Sequence, residues 1–215
     1  MAERAQDVVV VRHGETQWAL EGRHTGRTDV PLTERGRRQA ELLAGLLWGR
    51  QFAKVLMSPL QRARETCKLA GLGDVAEVRD DLAEWDYGAY EGRTTPEIVA
   101  ERPGWSLWDG GVPAGETVED VGRRVDRVIA EVRATPGDVA IVAHGHVLRI
   151  LAARWLGLAP RDGRLLALDP AGIGILGYEH AVAVIARWNE TPGMAGGATA
   201  DTTVDEDAVP AAQGG

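Results

Sequence analysis

Two histidines of this chain stand at the ends of apolar runs and are followed by glycine. One run is Val8-Val9-Val10-Val11-Arg12-His13-Gly14-Glu15-Thr16, the other Val139-Ala140-Ile141-Val142-Ala143-His144-Gly145-His146. A neutral imidazole is a nucleophile near neutral pH, and the hydrogen bond made by one ring nitrogen fixes the state of the other. Either histidine alone reads as an ordinary core or loop residue. The repeated placement argues otherwise, because side chains leaving the carboxyl ends of two strands of an open α/β sheet meet in the crevice where such sheets bind ligands.

The elements that must position them are legible as hydrophobic patterns. Four valines within residues 7–12 predict a buried strand, in a run too short for a helix. Thr33 is placed to cap a helix whose Ala40, Leu43, Ala44 and Leu47 share a face. Residues 54–57 predict a second strand, Ser58-Pro59 a helix cap and first helical residue for a helix to about Leu69, and residues 75–78 a third strand. Residues 85–114, rich in Gly, Pro and Trp, predict an irregular lid with at most a short helix near Thr95. Val118, Val121, Val125, Val128, Ile129 and Val132 mark an amphipathic helix. A buried strand over 138–143, a helix from His146 to Leu156, and a hairpin of strands near 173–178 and 182–188 follow. Strands alternating with helices predict a single three-layer α/β domain over residues 1–190, its mostly parallel sheet covered by helices on both faces. Residues 191–215 are dominated by Gly, Ala, Thr and acids and predict a disordered acidic tail.

Composition narrows the function. The chain has 215 residues, 44% hydrophobic and 26% charged, as expected of a globular domain. Its formal net charge of −8 argues against a nucleic-acid partner. Much of that charge lies in the tail, where Glu190, Asp201, Asp205, Glu206 and Asp207 follow the last basic residue, Arg187. The single cysteine, Cys67, excludes an intrachain disulfide and fits a reducing compartment. Without a signal-peptide layout at Met1-Ala2-Glu3-Arg4 or a bilayer-length apolar stretch, a cytoplasmic protein with no membrane partner is expected.

Three other motifs carry little. Gly172-Ile173-Gly174-Ile175-Leu176-Gly177 has the letters of a dinucleotide fingerprint, but precedes strand-like residues rather than a helix. His144-Gly145-His146 has the spacing of some metal sites, yet no further His or Cys cluster completes a shell, so no metal is expected. Ser58 before Pro59 reads as a cap and not as a nucleophile.

Arg12-His13-Gly14-Glu15-Thr16 resembles the signature of the histidine phosphatase superfamily, which includes the phosphoglycerate mutases. The likeness continues through Gly26-Arg27-Thr28-Asp29, Leu32-Thr33, Gly36 and Gln39-Ala40. It resumes at Ser58-Pro59-Leu60-Gln61-Arg62-Ala63, Glu65-Thr66, Glu84-Trp85-Asp86-Tyr87-Gly88 and Glu91-Gly92, and closes at His144-Gly145 with Arg149 beyond. It spans roughly residues 7–188 in order. The resemblance implies that His13 is the nucleophile and forms a phosphohistidine, while Arg12, Arg62 and His144 surround the phosphoryl oxygens. It implies Glu84 as general acid and then base, with Thr25, Gly26 and Tyr87 as further substrate-binding residues. No cofactor is implied. Because Glu84 must be protonated while His13 is neutral, a mildly acidic optimum is expected.

Some assignments have competitors. Arg62 lies near a helix start and could instead pair with Glu65, and Glu84 competes with Asp80, Asp81, Asp86 and Glu91 in an acidic segment. The Glu-x-x-x-Gly-x-x-Glu-Gly frame favours Glu84. Trp18, Trp85, Trp105 and Trp108 could line a pocket, but tryptophans are more often packing residues, and they are not assigned to the site.

Departures from the family pattern lean toward a phosphatase. Ala19 follows Trp18 where many members carry Asn, His24 stands where Phe is common, and His146 where mutases have Asn. Thr94 to Gly115 offers only Arg102 against Glu97, Glu101 and Asp109, whereas mutases have a run of basic residues there. The chain looks most like the mutase-like acid phosphatases. The expected partner is a small phosphorylated metabolite, with a homodimer expected from family resemblance alone. A phosphoglycerate mutase and a non-catalytic phospholigand-binding module are the alternatives.

Overall fold

The computed structural model describes residues 6–193; the expected acidic tail lies outside the described residues from 194 onward. Six strands, β1 (Val8–Arg12), β2 (Lys54–Met57), β3 (Ala76–Val78), β4 (Val139–Ala143), β5 (Ile173–Glu179) and β6 (Val182–Glu190), form one sheet in the order β3-β2-β4-β1-β5-β6. The first four are parallel; β5 runs antiparallel to β1 and forms the expected hairpin with β6. The helices are α1 (Gln17–Leu20), α2 (Glu34–Leu47), α3 (Gln61–Leu69), α4 (Thr95–Glu101), α5 (Leu107–Gly110), α6 (Val118–Arg133) and α7 (Gly145–Trp155), with short 3-10 turns between them.

Alternation along each strand divides the core. Val9, Val11, Val55, Met57, Ala140 and Val142 pack with Leu43 and Leu47 of α2 and Cys67 of α3. Val8, Val10, Leu56, Val139 and Ile141 pack on the opposite face with α6 and α7. The period of two along a pleated strand produces this division, and burial on both faces explains why the strands read as continuous apolar runs. On α6, Val121, Val125, Val128 and Val132 are buried at helical spacing, each contributing roughly 1.5–3 kcal/mol. Thr117 and Asp120 form a capping box that starts the helix.

The segment expected as an irregular lid departs from expectation. Besides α4 near Thr95 it contains α5, and its large side chains Trp85, Tyr87, Tyr90, Ile98, Trp105, Leu107 and Trp108 belong to the α6/α7 core. Aromatic pairs such as Trp85–Trp108, with ring centroids 5.7 Å apart, and Tyr90–Trp105, at 5.3 Å, hold it together. Packing aromatics do not need helical periodicity to be buried, so the pattern conceals them. No helix among the described residues is long and apolar enough to cross a membrane.

Candidate active site

Adjacent parallel strands deliver three polar residues to one edge. Arg12 of β1 is level with Ala143 of β4, and Met57 of β2 with Val142, so His13, His144 and Ser58 emerge side by side. The His13 amide donates to the Ala143 carbonyl at 2.9 Å, and the Ser58 amide to Val142 at 3.0 Å. The two imidazoles lie edge to face with centroids 5.1 Å apart. The turn after His13 needs glycine: a Cβ on Gly14 would sit 2.3 Å from the Gly36 carbonyl oxygen, so only a bare backbone lets α2 approach this closely.

The hydrogen bonds assign each ring its tautomer. His13 Nδ1 lies 2.7 Å from the Gly14 carbonyl, an acceptor only, so the proton sits on Nδ1 and Nε2 keeps its lone pair. Burial holds the His13 pKa well below the ordinary histidine value, and the charges of Arg62 and Arg12 push the same way. Both effects favour the neutral ring, whose Nε2 carries the lone pair. Arg62 Nε donates to His144 Nδ1 at 3.1 Å, which places the His144 proton on Nε2, 2.6 Å from Ser58 Oγ. Burial, then Arg62, lowers the His144 pKa as well.

Ser58 is thus not the helix cap its sequence context predicts. Its hydroxyl lies 2.6 Å from His144 Nε2 and also accepts the Leu60 amide at 3.3 Å, but Leu60 occupies the cap position, without a side-chain bond, and α3 begins at Gln61. Asp29 supplies the missing acceptor, taking the Gln61 amide at 2.8 Å.

Arg62 is fully buried and does not pair with Glu65, which binds Arg37 at 2.7 Å. Its Nη1 donates to the Thr28 carbonyl and its Nη2 to those of Thr25 and Gly26, all at 3.0 Å. Thr25 and Gly26, expected as phosphate donors through hydroxyl and amide, are instead turned into the protein. The Thr25 hydroxyl donates to Arg23 O at 2.9 Å and the Gly26 amide to Glu91 Oε1 at 2.9 Å; only their carbonyls reach the site, to hold Arg62. Arg12 Nη1 donates to the Leu168 carbonyl at 2.5 Å, while its buried Nε has no partner, a donor that an incoming phosphoryl oxygen would satisfy.

Glu84 sits at the amino terminus of α7, directly after His144. Its Oε1 accepts from the amides of Trp85 at 3.0 Å and Val147 at 2.9 Å, its Oε2 from the His146 amide at 3.1 Å. Oε1 thus accepts two amides and Oε2 one, which leaves an acceptor position on Oε2. Of the rival acids, Asp81 binds Arg127 at 2.5 Å, Asp86 binds Arg27 at 2.5 Å, and Glu91 Oε1 accepts the Gly26 amide at 2.9 Å. Tyr87, expected against substrate, is buried with its hydroxyl 2.7 Å from His146 Nδ1. The rings of Trp85 and Trp108 flank His146, so His144 and His146 are committed to separate partners.

Sequence reasoning misses the residue that holds the Glu84 segment. Arg124 donates to Asp81 O at 2.7 Å, Ala83 O at 2.6 Å and Glu84 O at 3.1 Å, and its Nε to Glu116 at 2.9 Å. Its only signal is an arginine on the apolar face of α6, between the buried Val121 and Val125. Arg124→Met is expected to destabilise the protein by about 3–5 kcal/mol, since it leaves Glu116 and three carbonyls without their donor. Denaturant unfolding checks this; a loss below about 1 kcal/mol would show that solvent replaces the clamp.

Residues 8–191 match the family model described as "Histidine phosphatase superfamily (branch 1)". An acid phosphatase of Mycobacterium tuberculosis is 45% identical over 190 residues, covering 86% of this chain and 93% of the relative. A Cronobacter sakazakii protein named as a probable phosphoglycerate mutase is 32% identical, covering 84% of this chain and 89% of its own. The solved structure of a mycobacterial glucosyl-3-phosphoglycerate phosphatase in complex with VO3 superposes with a TM-score of 0.77 at 32% identity, covering 86% of this chain and 99% of that one. With the strand-end histidines, the buried arginine and the glutamate at the α7 amino terminus in place, this chain belongs to branch 1 of the histidine phosphatase superfamily.

Proposed function

We propose that this protein hydrolyses small phosphomonoesters through a phosphohistidine on His13, with a mildly acidic optimum. The observation that carries the reading is His13 itself: neutral by burial, with Nδ1–H on the Gly14 carbonyl and Nε2 open, beside Arg12 and Arg62. In the first step the Nε2 lone pair attacks phosphorus and the bond from phosphorus to the ester oxygen breaks. Arg12, Arg62 and the amino terminus of α7 offset the charge on the non-bridging oxygens. Glu84 gives its proton to the departing alkoxide. In the second step Glu84 takes a proton from water, which attacks phosphorus; the bond to Nε2 breaks, and phosphate and neutral His13 are regenerated.

Water is the acceptor in this reading because residues 94–115 supply Arg102 as their one basic side chain, and it is engaged at 2.8 Å by the Tyr90 hydroxyl. Little there would hold the carboxylate of a bisphosphoglycerate for return of the phosphoryl group. The names of the acid phosphatase and of the glucosyl-3-phosphoglycerate phosphatase support this reading over the mutase that another relative's name suggests, and the VO3 in the latter phosphatase's complex is a group that mimics five-coordinate phosphorus.

The test is Glu84→Gln assayed as kcat/KM, which reports the steps through loss of the ester oxygen. Alkyl phosphates, whose leaving group needs a proton, should lose about 10²–10⁴-fold. Nitrophenyl phosphate should lose less than about 10-fold. Equal losses for both substrates would remove Glu84 from the acid role. Isomerisation of phosphoglycerate outrunning phosphate release would favour the mutase.

A further inference from the structure

Among the described residues, Glu91 is the one carboxylate with a buried, unpartnered oxygen, and its surroundings explain what it is for. Its Oε1 accepts two amides of one loop, from Gly26 at 2.9 Å and Thr28 at 3.0 Å. The carbonyls of the same loop, from Thr25, Gly26 and Thr28, receive the guanidinium of Arg62. The loop is therefore gripped on its amide side by Glu91 and on its carbonyl side by Arg62. Its path is tightly constrained. A Cβ at Gly26 would stand 2.7 Å from Glu91 Oε2 and 2.4 Å from the Trp85 carbonyl, so the loop lies against the segment that carries Glu84. Neighbouring bonds sew the two stretches together, with the Gly92 amide on His24 O at 2.8 Å and the His24 amide on Arg93 O at 2.9 Å.

We infer that Glu91 is a positioning residue, which orients Arg62 toward the phosphoryl group by fixing the backbone of residues 25–28. This inference rests on the reading of Arg62 as a phosphoryl clamp. Five donors of Arg62 must serve His144, three carbonyls and the substrate, so the donor left for substrate is set by where those carbonyls stand. A loop displaced by about 1 Å would carry the guanidinium with it, and displacements of that size cost on the order of 10²-fold in rate. Burial lowers the Arg62 pKa, and the surrounding negative charges, Glu84 and Asp29 first and Glu91 more weakly, act against that shift.

The experiment measures affinity for inorganic phosphate by calorimetry, and kcat/KM for nitrophenyl phosphate, in wild type, Glu91→Ala, Glu91→Gln, Arg62→Ala and the double variant Glu91→Ala/Arg62→Ala. Glu91→Ala should weaken phosphate binding about 10-fold and lower kcat/KM about 10–100-fold. Glu91→Gln, which keeps an acceptor for the two amides, should stay within about 5-fold of wild type. With Arg62 already removed, Glu91→Ala should cost less than about 2-fold, because nothing remains for the loop to orient. A loss that persists undiminished without Arg62, or Glu91→Ala binding phosphate as wild type does, would overturn the inference. If Arg62→Ala itself leaves phosphate affinity unchanged, the failure lies in the clamp reading and not in Glu91.

Discussion

His13→Ala is expected to lower turnover by on the order of 10⁴-fold or more on every phosphate ester, with the fold retained. No other side chain at this strand edge can take the phosphoryl group. His144 has both ring nitrogens committed, to Arg62 and Ser58, and Ser58 Oγ lies against His144 Nε2. Cys67 is buried and its thiol is pushed up to about 12 by burial, so it supplies no thiolate. The fold should survive because the His13 side chain bonds only the adjacent Gly14 carbonyl, while its main chain keeps the bonds to Ala143 and Ala171. Phosphate release and circular dichroism on the same preparation check both halves. Turnover above about 1% of wild type would mean that the nucleophile is elsewhere.

Arg62→Lys should lower kcat/KM by about 10²–10³-fold despite keeping the charge. The guanidinium fork contacts His144 Nδ1 and three carbonyls at once, which a lysine ammonium with three donors on a single nitrogen cannot do. The loss should therefore reach the His144 ring as well as the phosphoryl group. Kinetics with nitrophenyl phosphate settle it; a loss below about 5-fold would show that charge alone suffices and that the fork has no role.

What the sequence discloses and what it conceals follow from the same physics. Strands β1 and β4 are legible because strands buried on both faces are uniformly apolar, and α2 and α6 because their apolar residues recur at helical spacing, with Thr33 read as the cap of the first. Family resemblance singles out Arg12, His13, Arg62, Glu84 and His144, and the fold gathers all five, although both ring nitrogens of His144, expected on the phosphoryl oxygens, are engaged by Arg62 and Ser58. Ser58, Thr25 and Gly26 depart from expectation for one reason: a residue type shows what a group can bond, and tertiary context decides which partner takes it. A serine before proline is a good cap until a buried histidine lies 2.6 Å away. Arg124 and Glu91 act on backbone groups far along the chain, 40–43 residues away for the carbonyls that Arg124 binds, and no local spacing announces such bonds.

The central claim is a covalent phosphohistidine, and trapping it is the most direct measurement. Enzyme mixed with ester labelled in its phosphate, quenched without acid and digested, should yield the label on the peptide containing His13, absent from His13→Ala. Label on a serine, threonine or aspartate instead would contradict the account.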